Sequence, residues 1–466
     1  LHHEIPHWEF ERTQNELTTI WEERLSSLQV ETPSIESKQL FYGALYRSSF
    51  LPRAFNDVDG RYPSFSTGKP IHQLDHGETY YEDFSMWDTY RALHPLINIL
   101  TPTKGGEMMQ SLVSKYEQGG WLPIFPCWNS YTNAMIGDHV ISAIADAYAK
   151  GIGNFDMEEA YEAMRKNAFE TPHSMEDYKN GMGRRALDSY LKYGYIPLED
   201  SVPDAFHDKE QVSRTLEYAY DDFALIQAAS IFGTQEDYLS LIKRSQNYRN
   251  VIDPATGYAQ GRYADGSFLK EDNALSFTDF ITEGGLANVM GGEEVFISKL
   301  DSMFSEGRYW HGNEPCHQIA YMYNYVGQPW KAQKHVNNIL KPECLNAPGG
   351  LSGNDDAGQM SAWYIFSALG FYPVCPGMPY YVIGSPTFER AEIRLENSKL
   401  FTMISHNVSP ENIFIQSVLL DGEPYNKNYI LHDDIMSGST FEFTMGSSPN
   451  TSWGVAPDSR APSMSN

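Results

Sequence analysis

The chain has 466 residues, 41% of them hydrophobic, so it can bury a large core, and its length calls for one large domain with a smaller one. Its 61 acidic against 34 basic residues give a formal charge of -27 with no Lys/Arg-rich run, which argues against nucleic acid or an anionic membrane as partner. No apolar run is long enough to span a bilayer, while the surplus carboxylates serve solubility and offer hard oxygen ligands to a cation.

In chain order, Leu17, Ile20, Trp21, Leu25 and Leu28 recur at helical spacing before the turn-rich Glu31-Thr-Pro-Ser. Similar periodicity predicts helices near 38–50, 84–98, 107–117, 138–149, 157–168, 211–232, 236–249, 317–339 and 358–369. Phe296, Leu300, Met303 and Phe304 form another face, entered through Gly291-Gly292. About a dozen helices in sequence suggest hairpins closed into a toroid. Polar, aromatic loops such as 119–129 connect them, where sites are commonly built. Aromatic residues make up 14% of the chain, and their flat faces suit sugar stacking as well as the core.

After Pro376 the pattern shortens. Tyr380-Tyr-Val-Ile, Ala391-Glu-Ile-Arg-Leu, Ile413-Phe-Ile-Gln-Ser-Val-Leu-Leu and the alternating Thr440-Phe-Glu-Phe-Thr predict strands, separated by turns at Asp421-Gly and Met436-Ser-Gly. We therefore expect a mainly α catalytic domain over 1–376 and a β-strand region over 377–466. Cys127, Cys316, Cys344 and Cys375 lack metal or redox spacing and fit one disulfide or four buried thiols equally. Asn407-Val-Ser and Asn450-Thr-Ser match the glycosylation pattern. Opening on Leu1 rather than Met, the chain reads as a processed or excised product.

Four constellations could carry chemistry. In the glycine-rich 349–363 segment, Asn354, Asp355 and Asp356 precede an apolar helix; one such residue is an ordinary N-cap, but two adjacent carboxylates exceed what capping needs. Glu271 precedes the apolar Leu275 and Phe277, where partial burial would keep a carboxyl protonated, as a general acid requires; a solvated helix start is the alternative. Trp87, Asp88 and Arg91 form a third group, with an i,i+3 salt bridge as the simpler account. Finally, His311-Gly-Asn-Glu-Pro315 crowds polar side chains before a proline, fit to bind hydroxyls or metal or to cap a helix.

The segments 41–47, 57–62, 84–91, 312–315, 353–364 and 370–373 together resemble glycoside hydrolase family 92, the calcium-dependent inverting α-mannosidases, over nearly the whole chain. The resemblance implies a six-hairpin α/α toroid with attached β-structure, a bound Ca2+, and exo-acting removal of α-linked mannose outside the cytoplasm, in a secreted or periplasmic setting. It implies Glu271 as acid and Asp356 as base, supported by Asp355. Trp87, Asp88, Arg91, Asn313 and Glu314 would hold the terminal sugar, with Glu314 and Asp355 near the calcium. Three departures accompany it. The acid motif reads Glu271-Asp-Asn-Ala-Leu-Ser-Phe277 instead of Glu-Gly-Asn-Ala-Trp-Gln-Tyr, with Glu283 in a similar loop nearby. Asn313 and Asn354 stand where some members carry His and Asp, so α-1,2 specificity is not assumed. The family's N-terminal β-sandwich is absent from this sequence, which suggests a second polypeptide supplying it.

Two other readings remain open: a mannosyl-phosphate-releasing hydrolase, whose leaving group needs no acid, and a catalytically silent sugar-binding subunit, which would lack one of the paired carboxyls.

Overall fold

A computed structural model of the chain describes residues 2, 3, 5–65, 68–200, 207–270 and 290–463. Its helices fall into two kinds, and their burial explains why. Leu93–Leu100 and Gln359–Leu369 are buried at every residue, and Val140–Ala149 at all but its last turn. A helix apolar on all sides must lie inside. By contrast, Met157–Phe169 buries the stripe Met157, Ala160, Tyr161, Ala163, Met164, Asn167 and Ala168, the 3–4 spacing of an outer helix. Successive inner and outer helices pack as hairpins: Leu93–Leu100 on Pro102–Gly119, and Gln211–Phe232 on Gln235–Arg244. Ile35–Arg47 packs against Gln359–Leu369, bringing the chain's early and late parts together. This double helical layer is the arrangement expected of an α/α toroid. Each large aliphatic side chain it buries contributes about 1.5–3 kcal/mol.

The C-terminal strands form a six-stranded sheet in the order Leu28–Glu31, Arg390–Arg394, Leu400–His406, Thr440–Gly446, Phe414–Leu420, Glu423–Pro424. Leu400–His406 and Thr440–Gly446 run parallel, and the other neighbours are antiparallel. Phe441, Phe443 and Met445 alternate inward, as the period-two pattern predicts. Asp421 and Gly422 both adopt positive φ, the conformation that closes a tight hairpin. The edge strand Leu28–Glu31 comes from the other end of the chain, and one apolar core runs from it through the helices.

Several boundaries differ from the sequence expectation. Leu28 leaves its expected helix for that edge strand, and Leu17 and Ile20 on the helix Phe10–Leu25 are exposed. The 84–98 stretch is two helices, Met86–Thr89 and Leu93–Leu100, because the Gln359 side-chain carbonyl accepts the Ala92 and Leu93 amides at 3.0 and 3.1 Å. Between Ile319–Asn324, a 3-10 turn, and Pro329–Glu343 the 317–339 stretch also breaks, with Pro329 beginning the second helix. No disulfide joins the four cysteines, and Cys344 and Cys375 are buried.

Candidate active site

Two loops meet in a backbone crossing that sets the site. At Gly312 a Cβ would lie 2.9 Å from the Gly353 amide nitrogen, and at Gly353, with φ +73°, it would lie 2.4 Å from the Gly312 carbonyl oxygen. Neither position has room for a side chain, so glycine lets the 311–315 loop rest on the 353–358 loop. The second loop then turns through three consecutive left-handed residues, Asp356 (φ 40°), Ala357 (φ 59°) and Gly358 (φ 94°). Strain of that kind, at two non-glycine residues, persists where surrounding structure enforces it and gathers at functional sites.

That turn separates the paired carboxylates. Asp355 accepts the Ser361 amide at 2.9 Å and stands 3.5 Å from the Arg47 guanidinium, whose Nε also donates to Ser361 Oγ at 3.0 Å. It thus performs the capping role. Asp356 instead joins Asp88 and Glu314: one carboxylate oxygen from each lies within 4.8 Å of the others, the first group half-buried and the other two buried. Asp88 reaches this point from the short helix Met86–Thr89, where Ser85 Oγ donates to it at 2.7 Å. Glu314 opens the tight 3-10 turn Glu314–Cys316, with Pro315 as its second residue.

Three converging carboxylates repel one another. Burial pushes the Asp88 carboxyl up to about 7 despite the Ser85 hydrogen bond. Burial, then the neighbouring Asp88 and Asp356, push Glu314 up to about 9. Glu314 Oε1, Trp87 Nε1 and His317 Nε2 are buried without hydrogen-bond partners among the described residues. Buried polar atoms left unpaired cost about 1–3 kcal/mol each, and the hard-oxygen donor set of Asp88, Glu314 and Asp356 fits a divalent cation.

Arg91 lies behind this group. Its Nε donates to the Trp87 carbonyl at 3.1 Å, its guanidinium covers the Trp87 and Tyr90 rings, and Nη2 stands 3.7 Å from Glu217. Of the residues expected from the sequence, the structure therefore brings Trp87, Asp88, Arg91, Glu314 and Asp356 to one place, with Asn313 in the adjoining loop, and holds Asp355 on Arg47. Glu271 and Glu283 lie outside the described residues. Sequence reasoning missed Gln359, which ties Ala92 and Leu93 to His317 (Nε2 to Nδ1, 3.2 Å), and Glu217. Gln359 had a signal, as a polar residue heading an all-apolar helix; Glu217 had none, since its partners come from other helices.

The catalytic-domain profile of glycosyl hydrolase family 92 matches residues 1–447. Among solved structures, the chain is similar to a family GH92 α-mannosidase from Bacteroides thetaiotaomicron, at 35% identity and a TM-score of 0.88 over 99% of this chain and 62% of that one. It is also similar to a family GH92 inverting mannosidase from the same organism, at 30% identity and a TM-score of 0.89 over 100% of this chain and 66% of that one. A protein described as an uncharacterized secreted glycosidase, from Arthroderma benhamiae, is 27% identical over 509 residues, covering 99% of this chain and 60% of the relative. The chain thus spans about three fifths to two thirds of the length of these relatives.

Proposed function

Because the chain belongs to glycosyl hydrolase family 92, we propose that it is an exo-acting α-mannosidase, secreted or periplasmic, that removes terminal α-linked mannose by a calcium-assisted inverting displacement. The observation that carries this reading is the convergence of Asp88, Glu314 and Asp356, with one carboxylate oxygen of each within 4.8 Å of the others. Two relatives named as mannosidases, one of them as inverting, support it.

Glu314, with Asp88 and one oxygen of Asp356, would hold the calcium; this replaces the expected pairing of Glu314 with Asp355, which is engaged by Arg47 and Ser361. Bound there, the ion supplies a hard positive charge that polarises sugar hydroxyls and water. Trp87, Arg91 and Asn313 would line the terminal sugar, the buried indole N–H and guanidinium donating to its hydroxyls. Asp356 takes the proton from the attacking water, placed by the strained turn that directs it away from its capping neighbour. Inverting hydrolysis needs two carboxyls about 6.5–9.5 Å apart. The three clustered carboxylates are closer than that, so the proton donor must come from another segment, and Glu271 is our candidate. No separate polypeptide is proposed, since in each relative the matched stretch is part of one longer chain.

The test is a panel of mannobioses incubated with and without a calcium-selective chelator, with the anomer of the released mannose read by NMR. Release of β-mannose that stops on chelation and returns with added calcium is expected. Full turnover after exhaustive chelation would remove calcium from the mechanism, and α-mannose as first product would remove inversion.

A further inference from the structure

A tryptophan neighbours the carboxylates without being part of them. Trp310 is 54% exposed, yet it sits between two anchored residues, the partly buried Tyr309 and the buried His311. Tyr309 donates to or accepts from His311 Nδ1 at 2.8 Å, and His311 packs on Trp363 with ring centroids 4.1 Å apart. The Trp310 ring lies on the backbone crossing itself: a Cβ on Gly312 would fall 2.5 Å from its Cζ2 and 2.7 Å from its Cε2. One part of the ring is therefore seated on a glycine pedestal that admits no side chain, and the rest is open to solvent.

The pedestal fixes how near the ring stands to the chemistry. Gly312 precedes Glu314 by two residues, so their Cα atoms are at most about 7 Å apart. On the other loop, Gly353 leads by a short turn to Asp356, whose carboxylate meets that of Glu314. Asn313 and Asn354 directly follow the two glycines in sequence, so the loops that seat the ring also carry amide side chains. An exposed flat apolar face on loops that also carry amides suits a pyranose, which has one face of C–H groups and an edge of hydroxyls. A protein segment would be matched by an apolar rim instead.

We propose that Trp310 is the platform on which the leaving-group sugar stacks, the residue beyond the cleaved bond, so that it selects glycan leaving groups over small ones. This rests on the mannosidase reading above.

The experiment compares Trp310→Ala and Trp310→Phe with wild-type protein on two substrates. One is the mannobiose it hydrolyses best; the other is α-mannosyl fluoride, whose leaving atom is too small to touch a platform. In Trp310→Ala, kcat/KM for the mannobiose should fall about tenfold, mostly through KM, while the fluoride changes less than twofold. Trp310→Phe should recover most of the loss, because a ring remains. Equal losses on both substrates would assign Trp310 a structural role and overturn the proposal, as would an unchanged mannobiose rate. Wild-type protein that hydrolysed neither substrate would instead overturn the mannosidase reading, and this proposal with it.

Discussion

Two buried charged regions lie on either side of Arg91, and they are built on opposite principles. Behind it, His139 faces Glu217 at 2.7 Å through one ring nitrogen and Asp221 at 2.9 Å through the other. Arg184 bridges Asp138 and Asp222 at 2.8 and 2.7 Å, and Arg244 takes Asp222 with two nitrogens, at 2.8 and 2.7 Å. Acid and base alternate through this network. In front, Asp88, Glu314 and Asp356 converge, and the charge of Arg91 acts on Asp88 without reversing its upward shift. The electrostatic outcome differs accordingly: burial acts to raise Glu217, but His139 and Arg91 hold it below the usual carboxylate range, whereas Glu314 rises to about 9. A balanced network serves as scaffold. An unbalanced one is an arrangement that a bound cation would neutralise.

The sharpest way to break that contrast is to remove one carboxylate from each side. Asp356→Ala should lower hydrolysis of every mannoside by at least about 10³-fold, since water must lose its proton whatever leaves. Its melting temperature in calcium-free buffer should stay level or rise, because a repelling charge has gone. Near-normal rates would remove Asp356 as base, and a large loss of stability would place it in the scaffold instead.

Glu217→Ala should behave the other way. Taking the carboxylate from a buried network leaves Arg91 and His139 less compensated, at a cost of about 3–5 kcal/mol measured by denaturant unfolding. A variant within about 1 kcal/mol of wild type would show that the network contributes little to stability.

The smallest effect is the His139 share of the pH dependence, separated by a variant from the Asp88 and Glu314 titrations that both proteins keep. Burial by itself would lower the His139 pKa, but Asp221 and Glu217 overcome it and raise the group from 6.5 to about 9. A raised pKa means stability that is present in full below pH 6.5 and is lost as pH climbs to about 9, roughly 3 kcal/mol in all. Unfolding free energies measured from pH 6 to 10 should therefore fall across that window in wild type and fall less in His139→Gln. Parallel curves for the two proteins would discount the His139 contribution.

Much of the scaffold was legible in the residues themselves. The helix at 211–232 and the alternating strand at 440–446 follow from apolar spacing, because the inner face of an element repeats at 3.6 or 2 residues whatever it packs against. Asp355 and Asp356 were legible as a pair with more charge than a cap requires. Their division was not: Asp355 accepts the Ser361 amide while Asp356 enters a left-handed turn and meets Asp88 and Glu314, and that turn runs on through Gly358, where a Cβ would lie 2.9 Å from the Ser48 Cα.

Local sequence thus determined the elements and the residue types fit for acid-base chemistry and cation binding. Tertiary structure decided which of them meet. Asp88, Glu314 and Asp356 come from three distant stretches of chain, and what joins them is the contact of Gly312 with Gly353 and the grip of Gln359 on Ala92 and Leu93. The same holds for Glu217, which reads as one more charge on a long helix until His139 and Arg91 close around it. Spacing along the chain records the face a residue occupies, and the partner on that face is supplied by whichever element packs there.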